Sequence, residues 1–370
     1  MNFEFSEDQV LLKNQIRRAL DDHCRSADVR QILESDSPHD SQLWRVLCEM
    51  GVQGTAIDDS LGGAGAGYLE LCVVAEELGR ALAPVPFSSS IFLAVEALKV
   101  AANNEQKLAL LPGLASGEKI GTLAAWEING PLQPDTIAMR WEEGVLNGRK
   151  ILVPDGDVAD VAIVIARDDE GLSLFAVDLT DSGVTRETLE TIDPSRNFST
   201  LTFNAVAGQR LGDAGDGWNL LEQVLNRAAV LVAFEQIGGA QRALEMATDY
   251  AQERYAFGRP IGSFQAVKHM LADMYVDLEL ARSNCYYGAW ALSTDADELP
   301  LAAATARVSA TQAFQHCSKN NIQTHGGMGF TWEFDCHLFY RRSNLLAVLL
   351  GGQSVWKDRL VSQLESSDAA

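Results

Sequence analysis

Positive charge is scarce in this 370-residue chain. Lysine and arginine total 29 against 51 aspartates and glutamates, which gives a formal net charge of −22 at pH 7. Such a surface repels phosphate backbones and anionic membranes, because like charges meet. We therefore expect neither a nucleic acid nor a membrane as a partner. Any phosphate-bearing ligand needs a local group of cations or backbone amides.

Metal-binding cysteine pairs and long apolar runs are lacking too. No cysteine forms a C-x-x-C pair or has metal-type spacing to a histidine, so we predict reduced thiols and no metal site. The longest interior apolar run, Ala228–Phe234, is too short to span a bilayer. Met1–Asp8 contains no basic segment followed by an apolar one, so no secretory signal is predicted and a cytoplasmic protein is expected.

The chain is rich in apolar residues, at 47%, and the spacing of these residues divides it into three parts. Residues 1–115 have a helical pattern, which begins with a capping box formed by Ser6 and Gln9. Further helices are predicted over Ser41–Met50 and Tyr68–Leu82. The glycine-rich stretch Ser60–Gly67 is interpreted as a flexible connection rather than a phosphate cradle, since no Lys-Ser/Thr follows it.

The middle and the C-terminal part differ in periodicity. Residues 116–215 contain short β-rich runs separated by Gly, Asp and Asn, which predicts a compact antiparallel β-domain. Residues 216–370 return to long helices, the first over about Trp218–Glu253. In the next helix apolar residues recur at alternating steps of three and four, as in helices packed lengthwise. The fold class is α+β, mainly α.

Two C-terminal segments carry a resemblance to a known family. Glu253–Met274 is similar to R-x-x-F-G-x-x-I-x-x-F-Q-x-x-x-H-x-L-A-D-M, and Gln323–Glu333 is similar to Q-x-x-G-G-x-G-x-x-x-E, followed by Tyr340-Arg341. Weaker matches are spread over the rest of the chain, at the Gly-Gly-Ala-Gly loop, Ala75–Gly79, Gly117–Gly121 and Leu146–Lys150. In this order they resemble the acyl-CoA dehydrogenase family.

The resemblance implies an N-terminal helical domain, a middle β-barrel-like domain and a C-terminal four-helix bundle, with FAD at a subunit interface. It also implies oxidation of an acyl-CoA thioester to the 2-enoyl-CoA, with an electron-transfer flavoprotein as the acceptor. The expected cofactor-contacting residues are Arg254, Phe257, Gln265, Gln323, Gly326, Gly327 and Gly329.

The chemistry of these residue types agrees with that role. Arg254 can pair bidentately with a pyrophosphate, and the glycines let backbone approach a bulky ligand. Phe257 and His269 are also interpreted as packing residues within the motif. His325 either touches the ligand or has a structural role.

The sequence departs from the family where the flavin ring would lie. Trp126 stands at the position of the threonine in T-E-P, and the K-x-W-I-T motif becomes Lys150-Ile-Leu-Val-Pro154. Leu152 and Pro154 thus replace the tryptophan and the threonine, and proline has no backbone N–H to donate.

The carboxylate that removes the α-proton is missing as well. Leu350 occupies one position of the family's base, and the other position falls near Ala228. Glu235 is the carboxylate inside the apolar part of its helix. It is either an alternative base with a raised pKa or, the favoured interpretation, a buried partner for an arginine.

The retained and lost motifs suggest a partner subunit in an α2β2 heteromer, as in the bacterial enzymes of steroid and sterol side-chain breakdown. Such a chain grips the ADP half of FAD while a second family member supplies the ring contacts and the base. The alternatives are a self-sufficient homomeric dehydrogenase that uses Glu235 or another base, and a non-enzymatic CoA- or protein-binding scaffold.

Overall fold

A computed structural model describes residues 6–368. Its N-terminal part is helical and contains a π-helix over Ser88–Val95. The N-terminal α-helices are α1 Glu7–His23, α2 Ser26–Leu33, α3 Ser41–Glu49, α4 Tyr68–Ala81, α5 Glu96–Ala101 and α6 Asn104–Ala115. The strands that follow are β1 Gly121–Ala124, β2 Arg140–Glu142, β3 Val145–Pro154, β4 Val161–Asp168, β5 Gly171–Asp178, β6 Val184–Thr188, β7 Phe198–Ala207 and β8 Gln209–Leu211. The C-terminal elements are α7 Gly217–Glu253, β9 Tyr255–Ala256, β10 Arg259–Pro260, α8 Gln265–Ser293, α9 Leu299–His325, α10 Cys336–Val348 and α11 Gln353–Asp368.

Local signals at the N-terminus act as the sequence predicts. The Ser6 Oγ accepts from the Gln9 backbone N–H at 3.2 Å, and the Gln9 side chain accepts from the Ser6 N–H at 3.0 Å. Asp40 caps α3 by accepting from the Gln42 and Leu43 backbone N–H groups. Gly51, with φ 71°, ends that helix because the left-handed conformation is accessible to glycine. The predicted absence of a secretory signal rests largely on Met1–Phe5, which lie outside the described residues.

The strands of the middle segment form one eight-stranded sheet within residues 6–368, in the order β6-β7-β3-β2-β4-β5-β8, with β1 beside β4. Most pairs are antiparallel, as predicted, but β1 and β2 both run parallel to β4. The sheet is therefore mixed. The expectation of a wholly antiparallel domain was wrong on this point, because periodicity specifies a strand and not the direction of its neighbour.

The described residues divide into two compact units. One combines the described parts of 1–29, 69–83 and 229–370, and the other combines 30–68 and 84–228. We call them the bundle unit and the sheet unit. The division into domains 1–115, 116–215 and 216–370 stays a prediction. No helix in the described residues combines the length and apolarity needed to cross a membrane.

Two adjacent glutamates of α4 hold the bundle unit together by ion pairs. Glu76 is 3% exposed and accepts from Arg282 Nη1 at 2.7 Å, with Lys13 Nζ at 3.2 Å. Glu77 is 1% exposed and binds Arg17 through both of its oxygens at 2.7 and 2.8 Å. These pairs connect α4 to α1 and α8. Because the carboxylates are buried, leaving either one without its cation would cost free energy.

The α4 and α7 helices touch backbone to backbone at two glycines. A Cβ on Gly79 would lie 1.8 Å from the Glu235 carbonyl oxygen, and a Cβ on Gly238 would lie 1.9 Å from the Glu76 carbonyl oxygen. No side chain fits at either position. The glycine of A-E-E-L-G and the first glycine of the pair within α7 are thus explained by one helix crossing.

We predict that Gly238→Ala destabilises the protein by at least about 3 kcal/mol, since the methyl group forces the helices apart. The better helix propensity of alanine returns only about 1 kcal/mol. Urea unfolding followed by circular dichroism measures the difference. Gly130→Ala is the matched control, because its nearest atom would be 4.0 Å away. Equal unfolding midpoints for the two variants would contradict the close crossing.

Candidate functional site

Three helix ends of the bundle unit meet at one place. The Tyr250 ring, near the end of α7, stacks on His325, at the end of α9, with centroids 4.0 Å apart. Gly262, just before α8, approaches the Ala251 carbonyl so closely that a Cβ would lie 2.9 Å from its oxygen. The two sequence motifs, about seventy residues apart, are therefore brought to the same end of the bundle unit.

A tight hairpin projects from this end. Phe257 and Gly258 connect β9 to β10 with φ of 54° and 81°, a pair of left-handed residues typical of a type I′ turn. The Phe257 side chain is 95% exposed. The interpretation of His269 as a packing residue was wrong, since its side chain is exposed. Phe257 is exposed too, but its ring makes an edge-to-face contact with Phe264 of the same motif, with centroids 6.2 Å apart. Phe257 lies at the hairpin tip, where most of its surface is open to a ligand or another chain.

The polar residues expected to contact the cofactor also face outward. Arg254, Gln265 and Gln323 are exposed, and across residues 6–368 their side chains make no hydrogen bond or ion pair. In an acidic protein, an arginine without a carboxylate partner is notable, because nearby acids usually pair with it. The Arg254 guanidinium keeps its donors available for a pyrophosphate or carboxylate.

The three glycines of the second motif differ in whether the fold requires a glycine at their position. Gly326 adopts φ 61° and ψ −136°, a region that only glycine occupies readily. A Cβ on Gly329 would lie 2.5 Å from the Ile322 carbonyl oxygen. Gly327 has neither constraint, since a Cβ there would meet nothing within 4 Å. The fold of this chain does not require a glycine at position 327, and the bare backbone there is open to close approach.

His325 supports the turn from inside. Its side chain is 6% exposed, and Nδ1 lies 2.9 Å from the Asn321 carbonyl oxygen. Tyr250 and Phe334 contact its ring. Burial lowers the pKa of His325, which keeps the imidazole neutral. Of the two roles considered for this residue, the geometry favours the structural one.

In the sheet unit, the two segments matched to the flavin-ring motifs lie side by side. The Ile151 N–H donates to the Trp126 carbonyl oxygen at 2.8 Å, and Thr122 Oγ donates to the Pro154 carbonyl oxygen. Leu152 sits at an irregularity of the β3–β7 pairing with φ 54° and is 41% exposed. The backbone framework is present, but an exposed leucine and a proline stand where the family has its ring contacts.

Lys150 fastens these segments together, a role that the sequence patterns did not predict. Its side chain is fully buried, and Nζ donates to the Ala125 carbonyl oxygen at 3.2 Å and to Glu127 at 2.6 Å. The Glu127 carboxylate also accepts from the Ala138 and Met139 N–H groups. Burial, opposed by Glu127, lowers the pKa of Lys150 to about 8. The sequence signal that could have predicted this role is a lysine at an inward-facing position of a strand.

None of the described positions considered for a base holds a free carboxylate. Leu350 is 3% exposed, and its carbonyl oxygen accepts from the Trp356 indole N–H at 3.0 Å. Ala228 is fully buried. Glu235 is 2% exposed and lies 3.8 Å from the Arg342 guanidinium. The favoured interpretation of Glu235, an arginine partner in the bundle, agrees with this contact.

A second buried arginine shares the same interior. Arg307 is 1% exposed, donates to Gln236 at 2.6 Å and binds the Leu346 carbonyl oxygen. Burial lowers the pKa of Arg307 to about 10, and the negative charge of Glu235 opposes this effect. Glu235 thus compensates guanidinium groups in a dry core. A carboxylate held in this way is poorly suited to accept a substrate proton.

Known proteins share both the sequence motifs and this architecture. Family models for the N-terminal and C-terminal domains of acyl-CoA dehydrogenase match residues 6–118 and 215–364. The acyl-CoA dehydrogenase IpdE2 of Mycobacterium tuberculosis is 33% identical over 98% of both chains. The chain belongs to the acyl-CoA dehydrogenase family. Members of this family are oxidoreductases.

Two solved structures of this acyl-CoA dehydrogenase family are similar over nearly the whole length. The ChsE4-ChsE5 complex of Mycobacterium tuberculosis matches with a TM-score of 0.90 and 29% identity, covering 99% of both chains. A steroid acyl-CoA dehydrogenase variant, Tcur3481-Tcur3483, matches with a TM-score of 0.89 and 31% identity, covering 98% of this chain and 99% of that one. The predicted fold class is confirmed.

The buried Lys150 makes stability depend on pH in this acyl-CoA dehydrogenase chain. Its pKa is about 8 in the folded protein, against 10.5 for a free lysine side chain, so the unfolded chain binds more protons between these limits. Stability therefore rises with pH across that window, by up to about 3 kcal/mol from this group. Urea unfolding of wild type and Lys150→Met between pH 7.5 and 10.5 measures it. If the unfolding free energies of the two proteins changed with pH by the same amount, the lowered pKa of Lys150 would be contradicted.

Glu235→Gln tests whether this glutamate is structural. Removing one partner of a buried ion pair leaves guanidinium charge uncompensated, so we expect a loss of about 3 kcal/mol in unfolding free energy. Asp249→Asn on the same helix is the control, because Asp249 is exposed. A Glu235→Gln protein as stable as this control would revive the glutamate as a candidate base.

Proposed function

We propose that the chain is the non-catalytic partner subunit of a heteromeric α2β2 acyl-CoA dehydrogenase. It binds the nucleotide half of FAD, and a second family member supplies the ring contacts, the base and the acyl pocket. One observation carries the proposal. Arg254, Gln323 and Gly327 are displayed at one end of the bundle unit with no use inside the chain, while the positions for ring contacts and base hold apolar residues.

The residues at the bundle end fit the ADP portion of FAD. Arg254 provides paired N–H donors for a pyrophosphate, and Gln265 and Gln323 provide carboxamides for ribose or adenine. The bare backbone at Gly327 allows close approach. Phe257 offers an exposed ring face for stacking. The same end can therefore recognise charge, hydroxyl groups and an aromatic base.

The ring segments of the sheet unit fit the isoalloxazine poorly. Leu152 has no hydrogen-bonding side chain, and Pro154 has no backbone N–H. FAD supplies the hydride acceptor of the family reaction, but this chain lacks the side chains expected at that ring. The second subunit supplies them in the proposed complex.

Proton abstraction is assigned to the second subunit for a chemical reason. Removing an α-proton from a thioester needs a carboxylate held near the substrate with an unoccupied lone pair. Leu350 and Ala228 offer none, and Glu235 faces Arg342 in the core. The homomeric alternative that uses Glu235 is disfavoured by this contact. The scaffold alternative differs in its outcome, because a scaffold would stay colourless and inactive with every candidate partner.

The substrate class is inferred from the relatives. One similar solved structure is a steroid acyl-CoA dehydrogenase variant, and a complex of two chains is another. We infer a steroid-derived or other bulky acyl-CoA as the substrate of the complex. An electron-transfer flavoprotein is the proposed acceptor, and the cytoplasm is the proposed location.

Co-expression with a second family member from the same genome tests the proposal. Alone, the chain should be colourless and inactive. Co-purified with its partner, it should form a yellow complex with about one FAD per pair of unlike chains, active on an acyl-CoA. Arg254→Gln should weaken FAD binding by the complex at least tenfold, because a charge-assisted contact contributes about 1.5–3 kcal/mol.

Two controls separate the cofactor site from folding. Gly327→Ala should reduce FAD content without lowering the unfolding midpoint, whereas Gly130→Ala should lower neither. Arg149→Gln removes a surface arginine elsewhere, 59% exposed, and should leave FAD binding intact. A yellow, active protein from this chain alone, or full FAD content in Arg254→Gln, would refute the proposed role.

A further inference from the structure

Exposed aromatic side chains are concentrated at the end of the bundle unit that carries Arg254 and Gln323. Within the described residues the exposed aromatic side chains are Tyr255, Phe257, Tyr275, Phe330, Trp332 and Tyr340. Tyr275 lies on α8. The other five belong to the β9–β10 hairpin, to the turn that follows α9 or to α10. We call these five residues the aromatic end.

Ring contacts hold the parts of the aromatic end near each other. Phe334 meets the Tyr250 ring, near the end of α7, edge to face with centroids 6.1 Å apart. The hairpin begins at Tyr255, five residues after Tyr250. Trp332 lies two residues before Phe334 and stacks on His337 of α10, with centroids 4.4 Å apart. The hairpin, the turn and α10 therefore present their aromatic side chains at the same end of the bundle unit.

The exposed area is large for a protein that stays alone. Phe257 is 95% exposed and Phe330 is 82% exposed, so both rings lie almost wholly in solvent. Together the five side chains expose the equivalent of about three whole aromatic residues, or roughly 500–800 Å² at 150–250 Å² each. The largest apolar patch of a typical monomer measures about 300–600 Å², whereas each partner of a stable complex contributes about 800 Å². The aromatic end by itself approaches the area of a protein interface.

The residue types of the aromatic end are those that contribute most binding energy at protein interfaces. Trp, Tyr and Arg are enriched among such residues, because large rigid rings bury much area at low cost in entropy. The Arg341 guanidinium lies 5.8 Å from the centre of the Trp332 ring. Met328, a side chain that adapts to irregular surfaces, is also exposed beside Phe330. Such a group fits apolar pockets on another protein.

Continuity with the cofactor turn identifies the partner. Gly326–Phe330 is one 3₁₀-helix, so Phe330 lies one turn after Gly327. The protein that covers a flavin nucleotide bound at Gly327 therefore also covers Phe330. A second copy of this chain is poorly suited to that task, since Leu152 and Pro154 stand at its ring-contact positions. The unlike second subunit supplies the ring contacts and is the matching occupant.

We propose that the aromatic end is the docking surface for this second subunit, with Tyr255, Phe330, Trp332 and Tyr340 as anchors beside the cofactor residue Phe257. The inference rests on the proposed function and goes beyond it, because the four anchors bind the partner chain and not the cofactor. The unlike chains therefore associate before FAD is added. FAD then binds between subunits that are already in contact.

Subunit association without FAD tests the docking surface. The complex of the full chain with its second family member is stripped of FAD, and its dissociation constant is measured by analytical ultracentrifugation. The double variant Tyr255→Ala/Phe330→Ala should bind the second subunit at least tenfold more weakly, as expected when two interface anchors are truncated. Its unfolding midpoint in urea should equal that of the wild type, since the two side chains are 63% and 82% exposed.

Leu11→Ala/Leu108→Ala is the control, because these apolar side chains are 56% and 60% exposed but lie on α1 and α6. It should bind the second subunit as the wild type does. Arg254→Gln should lower FAD content and leave FAD-free association intact, which separates cofactor binding from docking. A complex that depends on Tyr255 and Phe330 but holds no FAD would contradict the proposed function alone.

Three results would overturn the docking surface itself. The first is unchanged association of the Tyr255→Ala/Phe330→Ala variant with the second subunit. The second is a homodimer of this chain that the same variant disrupts, because the occupant would then be a second copy. The third is a failure of the unlike chains to associate until FAD is added.

Discussion

The contact between α4 and α7 at Gly79 and Gly238 is the constraint on which the site depends. Two backbones in contact cannot slide without a clash, so the crossing fixes α7 along its axis. The end of this helix lies about 22 Å beyond Gly238 at 1.5 Å per residue, and Arg254 follows it directly. The Tyr250–His325 stack then holds the end of α9 beside it. A pair of glycines thus sets where two distant motifs meet.

Charge reinforces this arrangement from the other side of α4. Glu76 and Glu77 are both buried, and each requires a cation from a different helix. The cost of burying unpaired carboxylates makes the positions of α1 and α8 relative to α4 specific rather than merely favourable. The pattern A-E-E-L-G therefore combines two constraints in one turn of helix. Its two glutamates pair with cations of α1 and α8, and its glycine allows the backbones of α4 and α7 to touch.

The sequence predicted elements well where the signal is local. The capping box at Ser6 and the helix stop at Gly51 depend on a few adjacent residues, and both are confirmed. It failed where the deciding contact is distant. The parallel pairing of β1 with β4 joins strands separated by two others, and the exposure of Phe257 depends on the conformation of the hairpin turn that carries it.

Site residues show the same division. The glycine and arginine motifs could be found in the sequence because their order resembles the family's, but that they meet at one end of the bundle unit is visible only in the structure. The partner of Glu235 was foreseen only as some arginine, since Arg342 lies 107 residues away in the chain and no periodicity connects the two. The Lys150–Glu127 pair was not foreseen at all. A buried lysine in a strand is visible in sequence only after the inward face of that strand is known.

Gly327 carries more weight than its neighbours because a glycine is informative only when the fold itself does not demand it. Gly326 and Gly329 would persist in any chain with this turn, whether or not a ligand binds, since backbone conformation and the Ile322 carbonyl require them. At Gly327 the space around a Cβ is open, and alanine would reduce the entropy of the unfolded chain. A bare backbone at such a position is costly to stability, and it leaves room for a ligand to approach closely. The two segments matched to the flavin-ring motifs show the opposite pattern. Lys150 still holds their backbones together, but the side chains expected to contact the ring are replaced. Together, these two patterns favour a division of one cofactor site between unlike subunits.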